Sequence, residues 1–340
     1  MKNTRQLLSI RELEPSDIVG LLDTAAEMRK RVLANEALPA TVRRTIGLLF
    51  FEGSTRTRVS FEQACNYLGY KATNFSDKGS SMSKGETFKD TILTMRYERL
   101  EGLVVRHPAS GSANLAGSFF GGAVVNAGDG RHEHPTQALG DALTLLQRKG
   151  RIEGLEIAIV GDVLHSRVAR SNAWLLSKLG ANIRLVGPKT LMPSNMSHFP
   201  GQVYYDLLSG IADCDAIMCL RLQRERIEGG RLGTAGEYRR RYQINRETLR
   251  FAKPDCLIMH PGPINRGIEL DDLAADGASS AIRDQVENGI FTRMAALDWV
   301  FGGEMAAELK PKASVSAPAK VKPKPKPKAK AKAAPGGKKK

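Results

Sequence analysis

The sequence predicts an α/β protein made of two doubly wound parallel-sheet domains with the active site between them, plus a disordered basic C-terminal tail. Short apolar runs, typical of buried strands, alternate with runs of helical spacing along most of the chain. Such alternation is typical of parallel sheets that carry helices on both faces. A length of 340 residues is enough for two domains of ordinary size, and the composition changes abruptly after Glu308.

The first predicted helix precedes the first predicted strand. Ser16 or Asp17 can cap this helix, because both side chains can accept a hydrogen bond from a free backbone N–H. Its apolar residues recur at spacings of three and four: Ile18, Leu21, Leu22, Ala25 and Met28. A buried strand is predicted next, at 45–51, and a helix follows at about 57–68.

Six further strands are predicted from short apolar runs, at 103–105, 123–126, 157–160, 183–186, 216–220 and 256–259. Helical patterns fall between most of them, for example at 135–147 and 166–179. Ligands of open parallel sheets bind at the carboxyl ends of the strands. We therefore expect the loops that follow these strands to carry the chemistry.

The positive charge of the chain is concentrated in its C-terminal tail. The net charge is +15, but residues 310–340 contain 12 lysines and no acidic residue. Residues 1–309 carry 39 basic and 36 acidic groups, so the folded body need not bind nucleic acid. Lysine alternates with proline or alanine at 321–332, which predicts an extended arm without a core. Weak, salt-sensitive binding of polyanions by this tail is one alternative function.

The composition also predicts the compartment. The first 14 residues have no signal-peptide core, and no apolar run is long enough to span a membrane. A cytoplasmic location is therefore expected. The four cysteines form no CxxC pair and no regular framework, so they are predicted to be reduced and mostly buried: Cys65, Cys214, Cys219 and Cys256.

The most informative segment is 54–58, with the sequence Ser-Thr-Arg-Thr-Arg, which begins a helix directly after a buried strand. The first turn of a helix has free N–H groups and the positive end of the helix dipole. Three hydroxyls and a guanidinium at that place predict a site for a phosphate dianion. The segment is not a nucleotide P-loop, because the chain contains no GxxxxGK[ST].

Other predicted strand ends carry polar side chains. Arg167 and Arg221 follow two separate strands and could each bind a carboxylate bidentately, which would suit a dicarboxylic amino acid. From the residues alone, a solvated strand end is the alternative for both arginines.

His134 precedes Pro135 at the start of a helix, where a structural histidine is the alternative. His132 and His134 have no third and fourth ligand at useful spacing, so no metal site is predicted.

The segment 54–58 resembles the carbamoyl phosphate signature of the aspartate and ornithine carbamoyltransferase family. Four further segments match the family in the same order, over about residues 1–305. The resemblance implies that Arg106 bridges the phosphate and the carbamoyl oxygen. It also implies that four residues hold the phosphate of carbamoyl phosphate: Ser54, Thr55, Arg56 and Thr57.

The resemblance also implies residues for the carbamoyl group. Attack on its carbon creates an oxyanion, to which His134 can donate alongside Arg106 and Thr57. Surrounding arginines are expected to lower the pKa of His134 and keep it neutral. Gln137 and the backbone carbonyls of Pro261 and Gly262 would address the carbamoyl NH2. The catalytic residues implied in this way are Arg56, Thr57, Arg106 and His134.

For the second substrate, the family places two carboxylates on Arg167 and Arg221, with Gln223 assisting. The chain lacks the His-Cys-Leu-Pro motif and the Ser-Met-Gly loop of ornithine enzymes. The expected reaction is therefore carbamoyl transfer from carbamoyl phosphate to L-aspartate, the committed step of pyrimidine (UMP) biosynthesis, without cofactor or metal. A carbamoyltransferase with another amine acceptor, such as ornithine, is the alternative.

The resemblance finally implies an assembly and domain limits. Residues 80–86 resemble a loop that enters the neighbouring active site, so a homotrimer is expected in which Ser80 and Lys84 contact the neighbour's substrates. Whether a regulatory or pyrimidine-pathway partner chain binds the trimer is a question that the sequence leaves open.

Three segments are expected: a carbamoyl phosphate-binding domain at 1–134 joined by the C-terminal helix at about 290–308, an aspartate-binding domain at 135–289, and the tail at 310–340.

Overall fold

The computed structural model of the protein describes residues 4–76, 85–195, 199–222 and 234–309. Within these ranges the strands form two five-stranded sheets, in the orders β1-β5-β4-β2-β3 and β10-β9-β6-β7-β8. All neighbouring strands in both sheets are parallel. The predicted fold class, α/β with two parallel sheets, is confirmed.

The first sheet contains β1 (Gln6–Leu7), β2 (Thr45–Phe50), β3 (Lys71–Ser76), β4 (Gly102–His107) and β5 (Ala123–Asp129). The central strands β2, β4 and β5 are apolar and almost completely buried, as expected for strands covered on both faces. Phe50 is paired with Arg106 in the sheet register. The carboxyl ends of β2 and β4 therefore lie side by side.

The helices associated with this sheet are α1 (Pro15–Leu33), α2 (Thr55–Tyr67), α3 (Phe88–Tyr97), α4 (Ser112–Phe120) and α5 (Pro135–Lys149). The predicted apolar face of α1 is buried, from Ile18 to Met28. The predicted cap of α1 was wrong: Glu14 is the N-cap residue, and Ser16 and Asp17 lie inside the helix. The reason is Pro15, whose fixed φ and missing N–H suit the first helical position.

The second sheet contains β6 (Glu156–Val160), β7 (Asn182–Val186), β8 (Gln202–Tyr204), β9 (Ala216–Cys219) and β10 (Leu257–Met259). The remaining helices are α6 (Arg167–Lys178), α7 (Leu207–Ile211), α8 (Ala235–Tyr242), α9 (Asp272–Asp276), α10 (Ile282–Val300) and α11 (Glu304–Glu308), with short 3-10 turns at Lys189–Leu191 and Thr248–Phe251. All six strands predicted after residue 100 are observed. The prediction missed β1, β3 and β8.

Helix α10 returns the chain from the second sheet to the helices of the first. It packs against α1, α2 and α5. Side-chain contacts join it to two of these helices: Arg29 pairs with Glu287 at 2.5 Å, and Asn288 donates to Thr144 at 2.9 Å. One large apolar cluster includes residues of both sheets and of α10. The carboxyl edges of the two sheets are thereby held around a shared cavity.

The cysteines behave as the sequence predicts. All four are free and buried. Burial raises the pKa of Cys214 to about 11 and that of both Cys65 and Cys256 to about 12, so these thiols stay protonated at neutral pH. Among the described residues, no helix combines the length and the apolar character that a membrane span requires.

Candidate active site

A cavity of about 600 Å³ lies where the carboxyl edges of the two sheets face each other. Eleven of the predicted site residues line it: Ser54, Thr55, Arg56, Thr57, Arg106, His134, Gln137, Arg167, Arg221, Pro261 and Gly262. The other three predicted residues, Ser80, Lys84 and Gln223, lie outside the described residues. The cavity thus brings together every predicted site residue that the structure describes.

The phosphate end of the cavity, defined here as Ser54 to Thr57 with Arg106, begins at the first turn of α2. Ser54 is the N-cap residue and its side chain makes no capping hydrogen bond. Its hydroxyl is therefore not used by the helix itself. The N–H groups of a first turn have no partner within the helix, and the helix dipole adds positive potential. Arg56 is partly buried, and this burial, followed by the nearby Arg221, lowers its pKa.

Arg106 lies at the end of β4 and is 9% exposed. Its Nη1 donates to the carbonyl of Ala127 at 3.2 Å. Gly128 has φ of 116°, and a Cβ there would lie 3.2 Å from Arg106 Nη1 and 2.9 Å from Arg167 Nε. A side chain at this position would crowd both guanidinium groups, so a glycine allows the two arginines to approach the same stretch of backbone.

His134 is buried at the start of α5, as its N-cap residue. Its backbone N–H donates to Ser171 Oγ at 2.9 Å. Burial lowers the pKa of His134 well below 6.5, and Arg106, Arg167 and Arg293 lower it further. The predicted direction of the pKa shift is confirmed, and burial is its largest single cause. A neutral imidazole can donate one N–H into the cavity without exchanging a proton.

The loop after β10 presents its backbone to the same cavity. His260 Nδ1 accepts a hydrogen bond from the N–H of Gly262 at 2.8 Å, so His260 Nε2 carries the proton and faces Glu269 Oε1 at 3.3 Å. Gly262 has φ of 65°, and a Cβ there would collide with the guanidinium of Arg56. The glycine therefore brings the loop backbone against the phosphate end.

The carboxylate end of the cavity, defined here as Arg167 and Arg221, is formed by residues that follow strands β6 and β9 of the second sheet. Arg167 is the first residue of α6 and is 5% exposed, with Nη1 donating to the carbonyl of Gly130 at 3.1 Å. Arg221 follows β9, which is the neighbour of β6 in the second sheet. Two guanidinium groups from separate elements can each bind one carboxylate.

Glu52 links the two ends of the cavity. Its Oε2 lies 2.8 Å from Arg167 Nη2 and 3.5 Å from Arg106 Nε. The carboxylate therefore compensates positive charge from both sheets at once. The sequence analysis gave Glu52 no role, and its one sequence signal is its position two residues before Ser54.

Comparison with known proteins identifies the family. The model of the aspartate/ornithine carbamoyltransferase carbamoyl-P binding domain matches residues 5–147, and that of the Asp/Orn binding domain matches residues 153–300. The chain belongs to the aspartate/ornithine carbamoyltransferase family. The predicted family is confirmed.

Curated relatives of the aspartate/ornithine carbamoyltransferase family are similar over most of the chain. The aspartate carbamoyltransferase catalytic subunit of Azorhizobium caulinodans is 52% identical over 295 residues, which are 86% of this chain and 92% of that protein. The protein of the same name from Rhodopseudomonas palustris is 50% identical over 295 residues, 86% of this chain and 93% of the relative.

Solved structures of the carbamoyltransferase family share the fold. The aspartate transcarbamoylase of Trypanosoma cruzi, in complex with N-(phosphonacetyl)-L-aspartic acid, is 32% identical with a TM-score of 0.78, covering 87% of this chain and 95% of that one. The ornithine carbamoyltransferase of Pyrococcus furiosus is 27% identical with a TM-score of 0.79, covering 88% and 98%.

The cavity of this carbamoyltransferase family member has further lining residues that the sequence prediction missed. They include Ser60, Ser166, His260, Gln285 and Arg293. Arg293 is 5% exposed and lies over the ring of Phe61 at 5.3 Å. Burial lowers the pKa of Arg293 to about 10, so it is charged at neutral pH. An arginine within an apolar helical run was the only sequence signal for it.

Proposed function

We propose that the chain is an aspartate carbamoyltransferase, which transfers the carbamoyl group of carbamoyl phosphate to the amine of L-aspartate. The curated relatives cited above carry that name at about 50% identity. The observation that carries the proposal is that the phosphate end and the carboxylate end line one and the same cavity. Such a cavity suits two anionic substrates held side by side.

In this proposal the phosphate end binds the phosphate of carbamoyl phosphate. Ser54, Thr55 and Thr57 supply hydroxyls and N–H groups at the start of α2, and Arg56 supplies a charged donor pair. Arg106 reaches both the phosphate and the carbamoyl oxygen. Because these groups lie on two adjacent strand ends and one helix start, they are positioned before the substrate arrives.

The aspartate amine then attacks the carbamoyl carbon directly. A C–N bond forms, the C–O bond to phosphate breaks, and phosphate leaves with the proton of the amine. The carbamoyl oxygen becomes an oxyanion in the transition state, where Thr57, Arg106 and neutral His134 donate to it. Gln137 and the carbonyls of Pro261 and Gly262 accept from the carbamoyl NH2.

The carboxylate end selects the amine substrate. Arg167 and Arg221 each bind one carboxylate of aspartate, with Gln223 assisting, and this arrangement disfavours ornithine because its second group is cationic. The direct test incubates the purified chain with carbamoyl phosphate and either aspartate or ornithine. Carbamoyl aspartate is the expected product; citrulline, or no product at all, would contradict the proposal.

We also propose that the working unit is a homotrimer with shared active sites. The support is the likeness of residues 80–86 to the family loop that enters a neighbouring site, with Ser80 and Lys84 as the contacting residues. A shared site makes the activity of mixed trimers predictable. Each hybrid of Arg56→Ala and Lys84→Ala subunits would contain one site without either mutation.

The hybrid experiment mixes the two inactive variants under conditions of confirmed subunit exchange. About one third of the sites in each hybrid trimer should then be active, which follows from the shared-site geometry. Each variant alone, taken through the same exchange, is the control. Mixtures that stay inactive would refute the shared site.

We also propose that the protein serves de novo pyrimidine biosynthesis in the cytoplasm. Four free, buried cysteines support a reducing compartment. The gene should restore growth without uracil to cells that lack aspartate carbamoyltransferase. Cells that carry the Arg56→Met variant are the matched control and should not grow.

A further inference from the structure

Asp141 lies one helical turn behind Gln137 on α5, outside the set of residues that line the cavity. The side chain is completely buried, and three amide groups donate to it. Gln137 Nε2 and Gln285 Nε2 each lie 2.8 Å from Oδ1, and Asn172 Nδ2 lies 2.8 Å from Oδ2. Burial raises the pKa of Asp141, whereas the three donors and the nearby charge of Arg293 favour the carboxylate.

The directions of two of these amides are fixed by backbone groups. Gln285 Oε1 accepts from the backbone N–H of His260 at 2.9 Å, so only its NH2 can face Asp141. Asn172 Nδ2 also donates to the carbonyl of Val168 at 3.1 Å, which can only accept. Both oxygens of Asp141 therefore act as acceptors, independently of Gln137.

This arrangement decides which way the Gln137 amide points. Its NH2 faces the Asp141 carboxylate, so its carbonyl oxygen is the atom left for the cavity. Gln285 extends the same network to the backbone of His260, which precedes Pro261 and Gly262 in the cavity lining. One buried carboxylate thus connects to Gln137 and to the loop whose carbonyls the proposed function assigns to the carbamoyl nitrogen.

We propose that Asp141 is a positioning residue that makes the site selective for carbamoyl phosphate over acyl phosphates, by holding the Gln137 carbonyl toward the carbamoyl NH2. This inference rests on the proposed function. An acyl phosphate such as acetyl phosphate carries a methyl group in place of the NH2. It can use the phosphate end of the cavity but has no hydrogen to give to Gln137.

The test compares Asp141→Asn with the wild type on two phosphates in one initial-rate assay. Formation of carbamoyl aspartate gives kcat/KM for carbamoyl phosphate, and competition by acetyl phosphate gives its inhibition constant. The NH2 of an asparagine at this position would face the NH2 of one of the three donors. The side-chain amide of Gln137 would then be free to turn over. We expect kcat/KM for carbamoyl phosphate to fall about 10- to 100-fold. This is the range expected when the hydrogen bond from the carbamoyl NH2 to the Gln137 carbonyl is lost and the turned amide places its own NH2 there instead. The inhibition constant of acetyl phosphate should change less than about threefold, since it makes no such bond.

The matched control is Thr144→Val, on the same helix. Thr144 is buried, accepts from Asn288 Nδ2 at 2.9 Å and does not line the cavity. This variant should lose thermal stability with both constants unchanged. If Asp141→Asn weakens both phosphates equally, or neither, the positioning role is refuted.

A second variant, Asp141→Ser, tests the proposal if Asp141→Asn does not fold. Asp141→Ser leaves room for water and removes the fixed acceptor, so the same selective loss is expected. If neither variant folds, Asp141 is a structural residue and the proposal is wrong. In the Gln137→Met background, Asp141→Asn should produce no additional loss of selectivity, which a double-mutant cycle measures. Wild-type enzyme that forms no carbamoyl aspartate would instead refute the proposed function.

Discussion

The two ends of the cavity are built in different ways. At the phosphate end, four consecutive residues from Ser54 to Thr57 supply most of the donors on one helix start. At the carboxylate end, Arg167 and Arg221 come from two elements more than 50 residues apart in the sequence. A contiguous site is fixed by local backbone geometry, whereas a distributed site depends on how the second sheet and its loops are held. The two ends should therefore respond differently to mutation.

The largest effect is expected at the phosphate end. Arg56→Met removes a charged donor from the helix start and should lower kcat/KM for carbamoyl phosphate by about 10³-fold, since truncating one partner of a charged contact costs several kcal/mol. Steady-state kinetics at saturating aspartate measure this. Arg58→Met is the matched control: Arg58 lies over the ring of Phe50 and does not line the cavity. An Arg56 variant with near-normal kinetics would contradict the assignment.

A smaller and different effect is expected at the carboxylate end. Arg221→Met should raise the KM for aspartate by about 100-fold, because one carboxylate loses its bidentate partner. The KM for carbamoyl phosphate should change only a few-fold. If the variant lost affinity for both substrates equally, the division of the cavity into two ends would be wrong.

The third prediction concerns pH and stability. The pKa of His134 is about 6.5 in the unfolded chain and is well below that when folded. Below pH 6.5 the unfolded state therefore binds a proton that the folded state does not, so stability falls as the pH falls. His134 contributes up to about 1.4 kcal/mol per pH unit to this loss. His260, whose pKa is also lowered, adds a change of the same sign.

Denaturant unfolding at pH 7 and pH 5.5 measures this loss. His134→Asn should lose less stability than the wild type over the same interval, because it lacks the titrating imidazole. Equal losses in both proteins would contradict a neutral, buried His134.

The smallest effect is expected from removing the tail. A chain that ends at Leu309 lacks 12 lysines but keeps all the described residues that line the cavity. Its kcat and both KM values should equal those of the full chain. A large loss of activity would show that residues 310–340 take part in one of the two ends. Salt-sensitive binding of a polyanion by the full chain alone would support the alternative role of the tail.

The sequence predicted the buried parts of the fold better than the edges. β2, β4, β5 and β6 are apolar and central, so their short runs were visible. The missed strands β1, β3 and β8 all lie at sheet edges, where partial exposure admits polar residues such as those of Gln6–Leu7 and Gln202–Tyr204. Periodicity alone carries little signal for such strands.

The same contrast applies to the cavity. A contiguous motif on a helix start could be recognised from its residues, and the resemblance to the family supplied the distributed arginines. Glu52 and Asp141 could not be found in this way, because their importance depends on which side chains the fold brings within hydrogen-bonding distance. Glu52 meets Arg106 and Arg167, and Asp141 meets amides of three helices.

The central claim is that one cavity binds a phosphate group and a dicarboxylate at the same time. Calorimetric titration with N-(phosphonacetyl)-L-aspartic acid, which joins both groups in one molecule, tests it most directly. The wild type should bind this compound, and Arg56→Met and Arg221→Met should each weaken binding by about 100-fold or more. Absence of binding to the assembled wild-type protein, or affinity unchanged in both variants, would contradict the claim.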